Sequence, residues 1–283
     1  MKQADRLGPW GALAPRGVGN LLWQARKLGL AHGPVKKVIA GLWSGLGLPA
    51  PVDILYAGLK FRVHPWDNVV ESKMLFGSKL RDWAEIRQLG EFAGNGGVFL
   101  DIGANMGYYS LMAAHLGAEK IMAFEPNPTM YDRLQFNIEA NDLENRITAL
   151  PIALGDRVAT MTMLVSDHDM GGSHIGEHGD GSGTPIDVQM KPLADVLAEE
   201  GVAHVDAIKI DVEGMEDAVL FPFFEKSPRE LWPRLVIIEH TSQKQWKRDI
   251  LAWMLESGYR EIERNRSNAM LSLNKRADSQ QNR

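Results

Sequence analysis

From residue 98 onward, strand and helix patterns alternate regularly, and this alternation restricts the fold more than any other feature of the sequence. A short apolar strand near residues 98–101 is followed by a helix, a strand, a helix and a further strand that ends near residue 152. Strands separated by helices of this length form parallel sheets with right-handed crossovers. The alternation resumes at residue 193, so we predict a doubly wound α/β protein with a mostly parallel sheet.

The alternation is interrupted between residues 153 and 192. Two stretches, 160–165 and 186–190, have the spacing of strands and enclose a segment rich in glycine and histidine. They predict an inserted β-hairpin with a mobile connecting loop. His168, His174 and His178 alternate with acidic residues there, which invites comparison with a metal site, but we interpret the segment as a flexible lid.

Residues 1–50 form a basic segment with two amphipathic helical patterns. Apolar residues recur at helical spacing in two stripes: Val18, Leu21, Leu22, Ala25 and Leu28, and then Val35, Val38, Ile39, Leu42 and Leu46. Seven basic residues and one acidic residue give the segment a formal charge of +6, which leaves −11 for the rest of the chain. The stripes fit docking on the body of the protein or contact with an anionic membrane surface, and the sequence does not choose between them.

The sequence divides into four regions. They are a basic amphipathic helical leader (1–50), an N-terminal strand and helix cap (51–96), the main domain (97–275) and a frayed tail (276–283). We predict one helix from about Asp67 to Phe92 in the cap, with Trp66 and Trp83 as packing residues. The lack of cysteine excludes disulfides, thiolate metal sites and a cysteine nucleophile. We expect a cytoplasmic protein, either soluble or peripheral to the membrane, with no nucleic-acid partner; homodimer formation stays open.

The stretch VFLDIGANMGYYS ends an apolar strand on an acid and continues into a turn containing two glycines. In an open parallel sheet, ligands collect beyond the carboxyl ends of the strands, where Asp101, Gly103, Asn105 and Gly107 lie. The next strand ends in AFEPNP, so Glu125 lies beside this loop and can accept both hydroxyls of a ribose. The dinucleotide pattern G-x-G-x-x-G is absent, which disfavours a dehydrogenase. We predict a ligand with a sugar diol and a charged tail.

Five segments together resemble the FkbM-type group of class I S-adenosylmethionine-dependent methyltransferases. They are FLDIGANMGYYS, AFEPNP, ALPIALGD, IKIDVEGME and LVIIEH. The resemblance implies a Rossmann-like, seven-stranded sheet with a reversed last strand, S-adenosylmethionine as cofactor and methyl transfer to oxygen. It implies that the methionine portion is lined by Asp101, Gly103, Asn105 and Gly107, the ribose by Glu125, and the adenine by Ala153, Leu154 and Asp156. Ser173 and His174 become candidates for acceptor contact. The stretch FGSKLRDWAE departs from the family pattern and leaves the role of Glu85 open.

The catalytic candidates follow two later strands. IKIDVEGME places Lys209, Asp211 and Glu213 at a buried strand end, where clustered charges are costly unless they are used or paired. The alternative is a structural network in which Glu213 and Glu216 favour a helix N-terminus. The neighbouring strand ends in Glu239, a candidate for substrate contact, and His240, a candidate base. Asp211 with His240 also admits a divalent metal, which we do not favour.

These observations lead to two functional hypotheses. The first is an O-methyltransferase that uses S-adenosylmethionine and acts on a hydroxyl of a sugar, glycan or natural product. The second is a noncatalytic membrane-associated scaffold that retains a nucleotide-binding fold, suggested by the basic leader. Cofactor binding and turnover distinguish the two.

Overall fold

The computed structural model describes residues 7–27, 34–77, 80–166, 174–175 and 183–273. The strands are β1 (Val52–Tyr56), β2 (Leu59–Val63), β3 (Val98–Ile102), β4 (Lys120–Phe124), β5 (Ile147–Leu150), β6 (Ala153–Leu154), β7 (Ala159–Val165), β8 (His174–Ile175), β9 (Thr184–Lys191), β10 (Ala207–Ile210), β11 (Leu235–Glu239), β12 (Tyr259–Arg264) and β13 (Asn268–Leu273). The helices are α1 (Gly17–Lys27), α2 (Pro34–Gly45), α3 (Val69–Phe76), α4 (Trp83–Ala93), α5 (Tyr108–His115), α6 (Pro128–Ala140), α7 (Leu193–Glu199), α8 (Glu216–Lys226) and α9 (Ile250–Glu256).

Seven strands form the central sheet, in the order β12–β13–β11–β10–β3–β4–β5. The five strands from β11 to β5 are parallel, whereas β13 runs antiparallel to both β11 and β12. The predicted doubly wound, mostly parallel sheet with a reversed last strand is therefore confirmed. The order changes direction at β3 and β10, and ligands of such sheets bind beyond strands at that place.

The two faces of the sheet are covered by separate hydrophobic clusters. Along β3, Phe99 belongs to one cluster, with residues of α4, α5 and α6, and Leu100 belongs to the other, with residues of α7, α8 and α9. Successive side chains of a strand point to opposite faces, so a strand with helices on both sides is apolar throughout. This explains why the central strands read as continuous apolar runs that end abruptly on charged residues.

The segment that interrupts the strand–helix alternation forms a small separate sheet, with the strand order β6–β9–β7–β8. β7 and β9 pair antiparallel from Ala159–Met190 to Val165–Thr184 and form the predicted inserted hairpin. The long connection between them lies outside the described residues, except for the backbone of β8. The expectation that it forms a lid stays a prediction.

A two-stranded hairpin joins the basic leader to the main domain. β1 and β2 turn at Ala57 and Gly58, which have φ of 52° and 84°. The buried carboxylate of Asp53 pairs with Arg62 and also accepts hydrogen bonds from the N–H groups of Gly11 and Leu13, at 2.8 and 3.0 Å. The start of the leader is thereby fixed to the hairpin.

Two predicted long helices are each divided. The predicted helix from Asp67 to Phe92 consists of α3 and α4, because the backbone at Gly77 becomes extended with its N–H still bonded to the carbonyl of Lys73. Apolar spacing in the sequence also predicts a helix from Gln243 to Glu256, but α9 begins only at Ile250, where the Asp249 side chain caps it. In both cases an extended cap residue ends or begins the helix, and continuous apolar spacing conceals this break.

The leader helices use only part of the predicted stripes to pack on the body. α1 and α2 bury Trp23, Ile39 and Trp43, which are 5%, 7% and 1% exposed, and only Ile39 of these belongs to a predicted stripe. Most of the predicted stripes face outward: Val18, Leu21, Val35, Val38, Leu42 and Leu46 are exposed. Trp66 and Trp83, predicted to pack, are 51% and 62% exposed, so neither is a core residue, although the Trp66 ring contacts that of Phe76.

Candidate active site

The loop after β3 is fixed against the ends of its neighbouring strands. The N–H groups of Gly103 and Ala104 both donate to the carbonyl of Phe124, at 3.0 and 2.9 Å. Gly103 has φ 79°, and a Cβ added there would lie 1.9 Å from the carbonyl oxygen of Asp211. Only glycine fits such a close approach of two backbones. The loop therefore lies directly against the residue that follows β10.

Gly107, the second glycine of the motif, serves helix packing. It has φ 93°, and a Cβ there would lie 2.6 Å from Leu134 of α6. It precedes α5 and does not line the cavity described below. The structure therefore places Gly107 at the contact between α5 and α6. The sequence had instead suggested that its backbone approaches a ligand.

Glu125 is a buried acid at the end of β4. Its side chain is held by two N–H donors: Asn105 donates to Oε2 at 2.7 Å and Asn127 to Oε1 at 2.9 Å. Burial raises the pKa of Glu125 to about 7, and the two N–H donors only partly offset this rise. Asn127 in turn caps α6, with Pro128 as the first helical residue. Each carboxylate oxygen retains a lone pair for a further donor.

Asp101, inside the end of β3, is the second buried acid. Its Oδ2 accepts a hydrogen bond from the Ser110 hydroxyl at 2.5 Å, and Lys209 is its neighbour across the β3–β10 pairing. Burial raises the pKa of Asp101 to about 6, while Ser110 and Lys209 favour the ionised form. Ser110 lies on α5, so this bond also fixes the helix that follows the glycine loop.

Both acids line one cavity of about 240 Å³ beyond the carboxyl ends of β3, β4 and β10. This first cavity is lined by the glycine loop, by the residues that follow β4 and β10, and by α3. Members of its lining include Asp101, Gly103, Asn105, Glu125, Lys209, Asp211 and Glu213. Asp101 and Glu125 therefore face a single ligand-sized space, as the sequence predicts.

One wall of the first cavity is apolar. Ile152, Ala153, Leu154 and Met163 line it near the small sheet, and a flat aromatic ring would suit this wall. Asp156 does not reach the cavity, because it is exposed and pairs with the adjacent Arg157 at 3.0 Å. Ala153 and Leu154 are thus brought together with the glycine loop, and Asp156 is not.

Lys209 and Asp211 form an ion pair at the end of β10. The Lys209 ammonium lies 3.1 Å from Asp211 Oδ2 and 3.3 Å from the Ile210 carbonyl, and 5.4 Å from the ring centre of Tyr109. Lys209 is buried, whereas the Asp211 side chain is 41% exposed. A buried ammonium requires an opposite charge, which Asp211 supplies. Asp211 is therefore oriented by the protein and still accessible to a ligand.

Glu213 and Glu216 differ in their surroundings. Glu213 has φ 52° and lines the cavity. Glu216 is fully buried and accepts hydrogen bonds from the N–H of Val212 at 3.0 Å and from the Trp246 indole at 2.6 Å. Burial raises the pKa of Glu216, and these donors favour its ionised form. Glu216 fits the structural alternative, since it braces the loop that carries Asp211 and Glu213.

A second cavity of about 360 Å³ adjoins the first. The two share Lys73, Arg81, Tyr109, Lys209, Asp211 and Glu213. The remaining walls come from the start of α4, the end of β11 and the β12–β13 turn: Asp82, Glu85, Glu239, Thr241, Asn265, Arg266, Ser267 and Asn268. Nearly every lining side chain is polar or charged. Asp211 therefore lies at the junction between the first cavity, which contains the two buried acids, and the strongly polar second cavity.

The last residue of β11, Glu239, and the residue after it, His240, point in different directions. Glu239 is buried, accepts hydrogen bonds from the N–H and hydroxyl of Thr241 and lines the second cavity. His240 lines neither cavity, and its Nε2 lies 3.2 Å from the Asn265 carbonyl. Side chains alternate along an extended chain, so Glu239 and His240 cannot face the same space. The structure brings Glu239 to the candidate site and leaves His240 outside it.

The structure shows the surroundings of Glu85, whose role the sequence left open. It is 1% exposed, lines the second cavity, and its Oε1 accepts hydrogen bonds at 2.7 Å from the side chains of both Asn265 and Asn268. These partners lie about 180 residues further along the chain. No local pattern signals such a pairing, and sequence reasoning missed both asparagines together with Lys73, Arg81 and Tyr109.

Asp211, Glu216 and Glu239 could together hold a metal ion, since each offers an oxygen within 4.8 Å of the others. Three carboxylates would suit a hard divalent cation. However, Glu216 and Glu239 already accept hydrogen bonds from N–H donors, and Asp211 already pairs with Lys209. Each acid of the cluster therefore already has a hydrogen-bond or ion-pair partner within the protein.

Two residues near the inserted hairpin, Ser173 and His174, are predicted to contact the acceptor. Ser173 lies outside the described residues. His174 opens β8, where its backbone pairs with Leu164, but its side chain is not described.

Comparisons with known proteins identify the family. The model of the methyltransferase FkbM domain matches residues 101–261. Methyltransferase sdnD of Sordaria araneosa is 31% identical over 150 residues, which cover 43% of this chain and 58% of sdnD. The 31-O-demethyl-FK506 methyltransferase FkbM of Streptomyces tacrolimicus is 27% identical over 196 residues, which cover 59% of this chain and 73% of that protein.

Solved structures with a similar arrangement include the METTL16 methyltransferase domain, at a TM-score of 0.42 and 16% identity, covering 67% of this chain and 65% of that one. An rRNA methylase from Streptococcus thermophilus has a TM-score of 0.43 and 10% identity, covering 69% of this chain and 97% of that one. The match to the family model spans more than half of the chain and contains the glycine loop and both cavity acids. The chain therefore belongs to the FkbM methyltransferase domain family.

Proposed function

We propose that the protein is an S-adenosylmethionine-dependent O-methyltransferase acting on a hydroxyl of a polar acceptor, such as a sugar, a glycan or a hydroxylated natural product. The observation that supports this most strongly is the pair of adjoining cavities. One is lined by two buried acids and the other by polar groups, and Asp211 lies where they meet. Family membership supports methyl transfer. The name of the Streptomyces relative describes methylation of an oxygen in a natural product.

The residues of the first cavity suit the cofactor. Glu125 has lone pairs for the two ribose hydroxyls, Ile152 and Leu154 offer an apolar wall for adenine, and Asp101 and Asn105 lie toward the methionine portion. When bound, the cofactor supplies an electrophilic methyl group on a positively charged sulfur. The buried acid Asp101 would favour that positive charge.

The acceptor would enter through the second cavity, and Asp211 would act as the base. Its carboxylate is accessible from both cavities, so it can accept the proton that the acceptor hydroxyl loses as its oxygen forms the new bond to carbon. Lys209 keeps this carboxylate oriented through the 3.1 Å ion pair. Glu213, at the same junction, is placed to contact the acceptor. The main contribution of the protein is the alignment of the two reactants.

The walls of the second cavity suit a polyhydroxylated acceptor. Carboxylates such as Glu239 accept hydrogen bonds from hydroxyls, whereas Arg81, Arg266 and the amide of Asn265 donate them. Mixed donors and acceptors match a saccharide ring, since each of its hydroxyls both donates and accepts. A mainly apolar acceptor would displace water from these groups without replacing its hydrogen bonds, at a cost for each lost bond of about 1–3 kcal/mol.

Calorimetry with S-adenosylhomocysteine tests the first part of the proposal. We expect binding by the full chain, followed by transfer of labelled methyl from S-adenosylmethionine to a member of a panel of methyl glycosides and deoxysugars. Failure to bind the cofactor product would reject the proposal. Binding without transfer to any hydroxylated acceptor would instead favour the noncatalytic scaffold, which no comparison supports.

We expect the reaction to need no divalent metal. A cation among Asp211, Glu216 and Glu239 would have to compete with the Lys209 ammonium and with the N–H donors that already hold these acids. Turnover after treatment with EDTA should stay within about twofold of the untreated enzyme. A large loss that Mg²⁺ or Mn²⁺ restores would contradict this expectation and assign the cluster to metal binding.

A further inference from the structure

The two leader helices present an apolar surface to solvent. Leu21 is 68% exposed, Val38 58%, Leu46 55%, Val18 52% and Leu42 46%. Residues 35, 38 and 42 of α2, with Leu46 directly after the helix, follow helical spacing, so they form one continuous stripe. We call Val18 and Leu21 of α1 together with the stripe of α2 the leader surface.

The leader surface is not needed to attach the helices to the body. Trp23, Ile39 and Trp43 already fulfil that purpose, and Trp43 also donates a hydrogen bond to the Pro49 carbonyl at 3.1 Å. α2 thus has apolar residues on both sides, and the protein covers one of them. Helices that are apolar on most of their circumference normally have both sides covered. An exposed apolar stripe next to a docked one marks a contact surface.

The charge of the leader indicates what makes this contact. Lys36 and Lys37 lie between the exposed Val35 and Val38, and the whole leader carries seven basic residues against one acid. The rest of the chain is strongly acidic, which disfavours approach of an anionic surface from any other side. Exposed apolar side chains interspersed with lysine are the composition of helices that lie in the headgroup region of anionic bilayers.

Trp66 extends the leader surface toward the candidate active site. Its ring centre lies 5.5 Å from that of Phe76, and Phe76 lies 5.9 Å from Trp43 of α2. Half-exposed tryptophan is characteristic of the membrane interface, because one side of the ring is apolar and the indole N–H remains polar. α3 packs against both leader helices, and its residues Val69, Val70 and Lys73 line the first cavity.

We propose that the leader surface binds the headgroup region of an anionic lipid bilayer, which makes the protein peripheral to a membrane. Insertion is shallow, since within the described ranges no helix has the length and apolar character needed to cross a bilayer. The apolar side chains of α1 and α2 enter the interface and Lys36 and Lys37 contact lipid phosphates. Since α3 joins the leader surface to the first cavity, the bound enzyme has its active site close to the membrane.

Flotation of the full chain with phosphatidylglycerol-containing vesicles tests the proposal. Wild-type protein should float with these vesicles, float at least about tenfold less with pure phosphatidylcholine, and dissociate as salt is raised. Leu21→Glu with Leu42→Glu should reduce the partition coefficient at least about tenfold, as should Lys36→Glu with Lys37→Glu. Matched controls are Val158→Glu, at a position 69% exposed, and Lys244→Glu, at another exposed position; neither should change partitioning.

The variants change side chains that are exposed or, at Lys36, partly exposed, so thermal unfolding and S-adenosylhomocysteine binding should match wild type and show that any loss is not misfolding. Absence of flotation by wild type overturns the proposal, as does equal binding to neutral and anionic vesicles. Equal loss in the control variants also overturns it. A concentration-dependent dimer that Leu42→Glu abolishes, found without vesicle binding, would show instead that a second copy of the chain covers this surface.

Discussion

At the scale of single residues, the candidate site depends on acids that the fold buries at a cost. Glu125 and Asp101 are 7% and 1% exposed, and burial raises both pKa values. A buried carboxylate is tolerated when donors compensate for lost water. Glu125 has two backbone donors and unused lone pairs that face the first cavity. A ligand with two adjacent hydroxyls would complete its hydrogen bonding.

Replacement of Glu125 tests this role. Glu125→Gln keeps the shape of the side chain and one acceptor oxygen but removes the charge, so the hydrogen bonds from the two hydroxyls should together weaken by about 1.5–3 kcal/mol. We expect S-adenosylhomocysteine to bind about 10- to 100-fold more weakly by calorimetry. Asp156→Asn is the matched control, since the structure places that carboxylate on the surface beside Arg157. Equal weakening in both variants would contradict the assignment of the ribose to Glu125.

Replacement of Asp211 separates catalysis from binding. Asp211→Asn removes the proposed base, so kcat should fall about 100- to 10,000-fold, as expected for loss of general base catalysis. The Kd for S-adenosylhomocysteine should change less than about threefold. His240→Ala should leave kcat within about threefold, because His240 lines neither cavity. A large effect of His240→Ala with a small one of Asp211→Asn would reverse these roles.

At the scale of elements, local patterns predicted strands and their ends better than they predicted faces of helices. A central strand such as β3 has helices on both sides, so it is apolar until its last residues, and this pattern locates Asp101 at the sheet edge. The leader helices have apolar residues on more than one side. Spacing alone therefore did not show which of these residues dock on the body, whereas the structure docks Trp23 and Trp43 and leaves Leu21 and Leu42 exposed.

The second cavity could not be predicted because its walls come from distant parts of the chain. Glu85 of α4 meets Asn265 and Asn268 only after the strand order brings β13 beside β11. The pairing depends on the packing of α4 against the sheet, which no local motif reports. By contrast, the first cavity depends on two consecutive strands and the loops that follow them, so its main residues are recognisable in the sequence.

The contact between the glycine loop and β10 makes a prediction at this scale. Gly103→Ala would place a Cβ 1.9 Å from the Asp211 carbonyl oxygen and separate β3 from β10. Gly201→Ala is a matched control, since Gly201 has φ 62° with no atom within 4 Å of an added Cβ. Both variants suffer the strain of positive φ, about 1–2 kcal/mol, but only the first adds a clash. By urea unfolding we expect Gly103→Ala to be at least about 2 kcal/mol less stable than Gly201→Ala; equal stability would show that the loop can move away.

At the scale of the whole molecule, the two cavity acids couple stability to cofactor binding. Their pKa values in the folded protein, about 7 for Glu125 and about 6 for Asp101, exceed the ordinary values of 4.5 and 3.8. Between about pH 4 and pH 7 the folded state therefore holds protons that the unfolded chain has lost. The contribution of these groups to stability is full at low pH and decreases as pH rises through this window. Hydrogen bonds from ribose hydroxyls act in the opposite direction, since they favour ionised Glu125.

The ligand-free protein should therefore unfold at a lower temperature at pH 8 than at pH 6, and Glu125→Gln should reduce this difference. S-adenosylhomocysteine should bind more tightly at pH 8, because no proton has to leave Glu125; below pH 7 its affinity should fall by up to about tenfold per pH unit for that one proton. Thermal unfolding and calorimetry at the two pH values, on wild type and Glu125→Gln, measure both effects. Tighter binding at pH 6 than at pH 8 would mean that protonated Glu125 is the binding form and that it donates to the ligand. The ribose would then need another acceptor among the residues of the first cavity.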